Sequence, residues 1–120
     1  MKTINLSGIE LFTILDNYDL SLGNKEVTVL FNASKYGIQF YWSGLSALNG
    51  TITLKQSIDD DHYDFITYPD GALITLPLNA ITDSGTIEDT IGTTAPYIKI
   101  IITVGTNTTG LLSINFKSLK

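Results

Sequence analysis

The chain has no cysteine, no arginine and a single histidine, His62, among its 120 residues. Without cysteine there is no disulfide framework, no thiolate nucleophile and no Cys-based zinc or iron–sulfur site. With one imidazole, any Ser–His–acid triad would have to be built on His62 alone. Without arginine there is no planar guanidinium to grip a phosphate or carboxylate through two parallel bonds, or to read a guanine edge. Charge of either sign is sparse, at 16% of residues. Seven lysines stand against twelve acids, for a net charge of −5. Lys2, Lys25, Lys35, Lys55, Lys99, Lys117 and Lys120 are dispersed, so the long-range field repels polyanions and nucleic acid is not expected as a partner. No apolar run approaches the ~20 residues of a membrane span, so no membrane partner is expected either. The opening Met1-Lys2-Thr3-Ile4-Asn5-Leu6-Ser7-Gly8 has no apolar stretch of signal-peptide length, so a cleaved leader is not expected. The sequons at Asn5, Asn32, Asn49 and Asn107 then read as by-products of an Asn- and Thr-rich chain.

What is present is apolar and short-period. Hydrophobic residues make up 43% of the chain, too many for a disordered one, and 13.1 kDa is near the modal size of one domain. We read residues 1–120 as a single domain, with 1–8 as an N-terminal arm. Alternation of period two marks about eight strands, at 9–15, 27–33, 36–43, 51–58, 63–68, 72–78, 97–104 and 111–116, and no amphipathic helix. Gly, Asn, Asp and Pro chemistry bounds each run. Segment 79–94 reads as a long loop with some order, in which 86–91 is a weak strand or one helical turn. The Asn49-Gly50 pair suits a tight turn into the following strand, and 105–110 joins the last two runs over a hairpin-length loop. In that C-terminal hairpin Ile98, Ile100, Ile102 and Val104 share a face with Leu112, Ile114 and Phe116. Several short antiparallel runs, each apolar on one side, stack most simply as two sheets. The expected fold is all-β, an antiparallel β-sandwich of jelly-roll or immunoglobulin-like type.

One stretch has a recognisable order. Phe40-Tyr41-Trp42 is followed by the turn Gly44-Leu45-Ser46-Ala47-Leu48-Asn49-Gly50, then Thr51-Ile52-Thr53-Leu54-Lys55-Gln56-Ser57-Ile58-Asp59. The C-terminal part reads Tyr97-Ile98-Lys99-Ile100-Ile101-Ile102-Thr103-Val104-Gly105-Thr106, with a Thr109-Gly110 corner before the last strand. Over roughly 36–68 and 95–117 this resembles small β-sandwich virion proteins of tailed bacteriophages, including the crAss-like group. The resemblance implies a non-enzymatic capsid auxiliary or decoration protein, or a head-fibre or tail component, in the virion. Its partners would be the major capsid protein, other virion subunits or its own copies, and it would need no cofactor.

Three constellations are candidates for more specific work. Asp59-Asp60-Asp61-His62-Tyr63-Asp64 is oxygen-rich, as calcium loops are, but it lacks the glycine of an EF-hand and a second imidazole, so a solvated turn is expected rather than a metal site. Tyr36, Tyr41, Trp42, Tyr63, Tyr68 and Tyr97 suggest a sugar platform and, with it, the alternative of a carbohydrate-binding module or tail component in host adsorption. Counting in twos puts Trp42 with Ile38 and Phe40 in the core and leaves Tyr41 on the surface beside Gln39 and Ser43. Finally, if Ile9, Leu11 and Leu15 face the core, Phe12 and Ile14 cannot do so in a regular strand. They join Leu30, Ile101 and Leu111 on a second apolar face, and from that face we take Phe12, Ile14, Leu30, Tyr41 and Ile101 as the partner interface. The segment 2–6 is an arm expected to order on docking.

Overall fold

In the computed structural model, residues 3–5, 11–30, 35–67, 70–88 and 96–119 are described. Strands cover β1 (Thr3–Asn5), β2 (Leu11–Asp19), β3 (Lys25–Leu30), β4 (Lys35–Ser43), β5 (Gly50–Ser57), β6 (Asp64–Phe65), β7 (Thr75–Leu78), β8 (Ser84–Glu88), β9 (Tyr97–Thr103) and β10 (Leu111–Leu119). Among the described residues there is no α-helix, only a 3-10 turn at Leu20–Leu22. The composition dictates this: β-branched and aromatic side chains fit a pleated surface, and alternation offers one apolar side per strand. One sheet has the order β1-β3-β9-β5-β6, with β7 also pairing β5; the other has the order β2-β10-β4-β8. All pairings are antiparallel except that of β1 with β3, where Thr3, Ile4 and Asn5 run beside Thr28, Val29 and Leu30.

The two sheets face each other across one core. Val27, Val29, Ile52, Leu54, Ile98, Ile100 and Ile102 enter it from the six-stranded sheet. Ile38, Phe40, Trp42, Leu112, Ile114 and Phe116 enter from the four-stranded sheet. Each such side chain contributes about 1.5–3 kcal/mol of burial, which outweighs any local preference in setting the layers. The expected all-β sandwich is therefore the observed fold, and the inward residues of the last two runs are those read from the sequence.

The connection between those runs is different. β9 belongs to the six-stranded sheet and β10 to the four-stranded one, so 104–110 is an arch that carries the chain across the core and not a hairpin. The same holds for 44–49, between β4 and β5. The Asn49-Gly50 pair serves this arch by contact rather than by positive φ. A Cβ on Gly50 would lie 2.6 Å from the Leu78 carbonyl oxygen, and the Asn49 side-chain oxygen accepts from the Thr106 N–H and hydroxyl, each at 3.0 Å. Positive φ is used instead at Gly44, Gly105 and Gly110, where the arches turn.

Several boundaries also shift. Of the segment 86–91, residues 86–88 are strand, since β8 pairs Ser84–Glu88 against Tyr41–Gly37 of β4, and 89–91 lie outside the described residues. Within the run 63–68, the described residues 63–67 hold β6 and a Thr67–Leu73 bridge, and 68 lies outside them. In the N-terminal arm, Thr3–Asn5 is an edge strand, while 1–2 and 6–10 lie outside the described residues. The end of the 27–33 run lies outside them as well.

Candidate functional site

The proposed interface residues do not share a face, because β2 is not a regular strand. Opposite β10, Phe116 pairs with Phe12, Asn115 with Thr13, Ile114 with Leu15 and Leu112 with Tyr18. Ile14 is thus an extra residue, and Asp16 and Asn17 together oppose Ser113. These are two β-bulges, the second with Asn17 at φ 54°. The bulges reset the alternation so that Phe12, Ile14, Leu15 and Tyr18 all turn inward. Ile14 is 7% exposed within the core, and Phe12, Leu15 and Tyr18 pack against it. Phe12 and Ile14 therefore belong to the core side of β2 and not, as alternation suggests, to an outer face.

Leu30 and Ile101 do stand on outward positions, both in the six-stranded sheet. Leu30 is opposite Tyr97, and Ile101 lies between Glu26 and Thr53. The chain itself partly roofs this surface. Lys99, outward on β9, sits 4.1 Å under the Tyr63 ring and 3.8 Å from a Glu26 carboxylate oxygen, and Lys55 lies 4.5 Å from the Phe65 ring. Burial and a hydrogen bond to Asp60 push the Tyr63 phenol well above its ordinary range, so it stays a donor at any physiological pH. Thr28, beneath it, is buried although its strand position points outward.

The acidic segment 59–62 is a turn held by its own bonds. The Ser57 hydroxyl donates to Asp59 Oδ1 at 2.9 Å and accepts the N–H groups of Asp59 and Asp60. Asp59 Oδ1 also accepts the N–H groups of Asp61 and His62, and Oδ2 lies 2.9 Å from His62 Nδ1. Those donors, the His62 backbone N–H first, hold the Asp59 carboxyl well below the usual range. Asp59, Asp61 and His62 bring one ligand atom each within 4.8 Å of one another, all exposed, but the Asp59 carboxylate is already committed to the turn.

Tyr41 is on the opposite side of the molecule, 42% exposed on the outer face of the four-stranded sheet, with exposed Gln39 and Ser43 two residues away on either side. Trp42, between them, points inward and is 5% exposed, as its alternation with Ile38 and Phe40 requires. Its indole N–H donates to the carbonyls of Asn79 (2.9 Å) and Thr82 (2.7 Å). Beside it a cleft of about 430 Å³ opens, bounded by Ser43, Ile81, Thr82 and Asp83. Sequence reading passed over this cleft, since its residues fall in a segment without periodicity.

It also passed over Asn107, which is 3% exposed and ties the two arches together. Its side-chain oxygen accepts the N–H groups of Ser46 (3.1 Å) and Ala47 (2.7 Å), while its amide donates to the carbonyls of Val104 (2.8 Å) and Leu78 (3.4 Å). The only signal in the sequence was an Asn in a Thr-rich loop, which is indistinguishable from a solvated turn residue.

No protein-family model matches the sequence, and no curated protein matches it. The sandwich is similar to part of a β-glucosidase from Paenibacillus barengoltzii, at 14% identity and a TM-score of 0.47 over 95% of this chain; the chain spans 11% of that enzyme's length. It is similar to a CBM4 structure at 17% identity and a TM-score of 0.47, covering 92% of this chain and 67% of that one. It is also similar to PliG of Aeromonas hydrophila, a periplasmic inhibitor of g-type lysozyme, at 10% identity and a TM-score of 0.46 over 98% of both chains. These likenesses reach no further than a β-sandwich layout.

Proposed function

We propose that the chain is a non-enzymatic structural component of a tailed-bacteriophage virion, a capsid auxiliary or decoration protein or a head-fibre component. It is assembled in the bacterial host cytoplasm and works by contact with the major capsid protein, other virion subunits or its own copies. The observation that carries this reading is where the motif residues sit. Gly44, Ala47, Asn49, Gly105, Thr109 and Gly110 belong to the stretches that resemble phage virion proteins, and they build the two arches: Thr109 donates to the Gly44 carbonyl at 2.7 Å, and a Cβ on Gly110 would press on Leu45 at 2.8 Å. The resemblance therefore lies on a scaffold that holds two sheets in register.

Such a scaffold contributes rigid surface. On the six-stranded sheet the partner would meet Leu30, Tyr97 and Ile101 among threonines, with the Tyr63–Lys99 stack at one side. With a net charge of −5 and dispersed lysines, affinity has to come from apolar contact, so association should persist at moderate salt. Leu30→Asp and Ile101→Asp test this in particles assembled with the variant chain. Each should retain a β-type circular dichroism spectrum and be lost from gradient-purified particles. A folded variant incorporated at the wild-type level would refute the surface. Ile101→Thr, a milder change that suits a strand, serves if the aspartates unfold the domain.

A further inference from the structure

The first residue of β5 has no room for a side chain. A Cβ on Gly50 would lie 2.6 Å from the Leu78 carbonyl oxygen, 3.1 Å from that of Thr103 and 3.0 Å from Asn107 Nδ2. Packing therefore fixes glycine here, and the residue before it is Asn49, in the sole Asn-Gly step of the sequence. That pair has a chemistry of its own. The Gly50 nitrogen, with no neighbouring Cβ to hinder it, can attack Cγ of the Asn49 carboxamide once its proton has passed to hydroxide. A bond forms between Gly50 N and Asn49 Cγ, the Cγ–Nδ2 bond breaks, and ammonia leaves behind a five-membered succinimide. Water then opens the ring at either carbonyl. One product is aspartate; the other is isoaspartate, in which the main chain runs through Cβ and Cγ.

Asn49 is exposed, so water and hydroxide reach it and burial does not shield the carboxamide. Geometry does. Oδ1 accepts the Thr106 N–H and hydroxyl, each at 3.0 Å, and a Cβ on Gly105 would lie 2.5 Å from Oδ1 and 2.9 Å from Cγ. The attacking nitrogen is held as well, since Gly50 pairs with Leu78 of β7 and the next residue, Thr51, pairs with Thr103 of β9. Ring closure has to draw Cγ into a five-membered ring with Gly50 N. That moves Oδ1 off both Thr106 donors and Gly50 out of its place beside β7, so the 44–49 arch must part from the 104–110 arch first.

We propose that Asn49-Gly50 is a modification site gated by the arches: closed, they hold it unreacted, and when they open it deamidates to two products of which only one lets them close again. Aspartate at 49 keeps an oxygen where Thr106 donates. Isoaspartate lengthens the main chain by one carbon beside a residue already packed against the Leu78 and Thr103 carbonyls, so the arch cannot reform in register. The chain thus carries an irreversible record of time spent locally open. The inference stands independently of the virion reading.

Incubation of the full chain in mildly alkaline buffer, with and without denaturing urea, tests it. Peptide mapping by mass spectrometry reads the amide-to-acid mass gain at 49 and separates aspartyl from isoaspartyl peptides by retention. Asn49 should deamidate at least about tenfold more slowly in the native chain than in urea. Thr106→Val, which removes one donor from Oδ1, should raise the native rate severalfold and leave the rate in urea unchanged; Thr106→Ser, which keeps both donors, should behave as wild type. Chains refolded after ageing should melt below wild type where they carry isoaspartate at 49, whereas Asn49→Asp should melt close to it. Equal rates with and without urea would overturn the gating. So would an unchanged or slower native rate in Thr106→Val, since the Thr106 bonds would then not be holding the carboxamide back. Isoaspartyl chains that refold to the wild-type Tm would overturn the assignment of the two products.

Discussion

Replacing Asn107 by alanine removes one buried amide and, with it, the buried link among those that join the two arches. The side-chain oxygen that accepts from Ser46 and Ala47 disappears, so two backbone N–H groups lose their partner. The Val104 and Leu78 carbonyls lose a donor at 2.8 Å and 3.4 Å. A buried group left unsatisfied costs about 1–3 kcal/mol, but Ser46 is exposed and water can reach part of this site. We expect a net loss of about 3 kcal/mol, or a fall in Tm of about 10 °C for a domain of this size. Urea unfolding followed by Trp42 emission reads it as a shift in midpoint with an unchanged slope. Asn107→Asp keeps the acceptor and replaces the donor with an oxygen facing the Val104 carbonyl. Burial beside that carbonyl raises the introduced carboxyl's pKa in the folded state above the ordinary value of about 3.9. The native state then binds more protons than the unfolded one, so the variant's stability is present below that ordinary value and falls as pH rises through the folded pKa. It should be closer to wild type at pH 4 than at pH 7. A loss under about 1 kcal/mol for the alanine variant, or the opposite pH trend for the aspartate variant, would refute the role assigned to Asn107.

Trp42→Phe keeps the core ring but strands the Asn79 and Thr82 carbonyls, and should cost about 1–2 kcal/mol in chemical denaturation; wild-type Trp42 emission should be blue-shifted and poorly quenched by iodide. Asp59 has a depressed folded pKa, so its contribution to stability is present above the unfolded value of about 3.9 and is lost as pH falls toward the folded one. Asp59→Asn should therefore flatten the acid limb of the stability profile, and carboxyl NMR titration should show Asp59 protonating well below the ordinary carboxyl range. Millimolar Ca²⁺ should leave Tm unchanged, since the Asp59 oxygens already serve the turn; a rise of several degrees that chelator reverses would contradict this.

The layers were legible because burial has a period. Ile98, Ile100 and Ile102, or Ile38, Phe40 and Trp42, announce their inward side whatever strand they pair with. Pairing was not legible for the same reason: the inward sides of β9 and β10 look alike whether the strands lie side by side or face each other, and only the arch geometry at Gly105, Asn107 and Gly110 separates the two cases. The β2 bulges defeated a strict count in twos, which is why Phe12 and Ile14 were assigned outward. Trp42 and Tyr41 fell on the expected sides because β4 pairs without interruption along its length. The cleft and the arch junction are held by backbone carbonyls and the side-chain amides of Asn79 and Asn107, groups every residue or any Asn can supply, so residue types alone carried no sign of them.

As a contact-making component of a virion, the role proposed above, the chain should travel with assembled particles. Quantitative mass spectrometry of gradient-purified particles, from a culture whose lysate contains the chain, tests it most directly. The chain is expected to co-sediment with the major capsid protein at a fixed ratio and to stay with it through a moderate-salt wash. Its abundance in the lysate together with its absence from the washed particles would contradict the account.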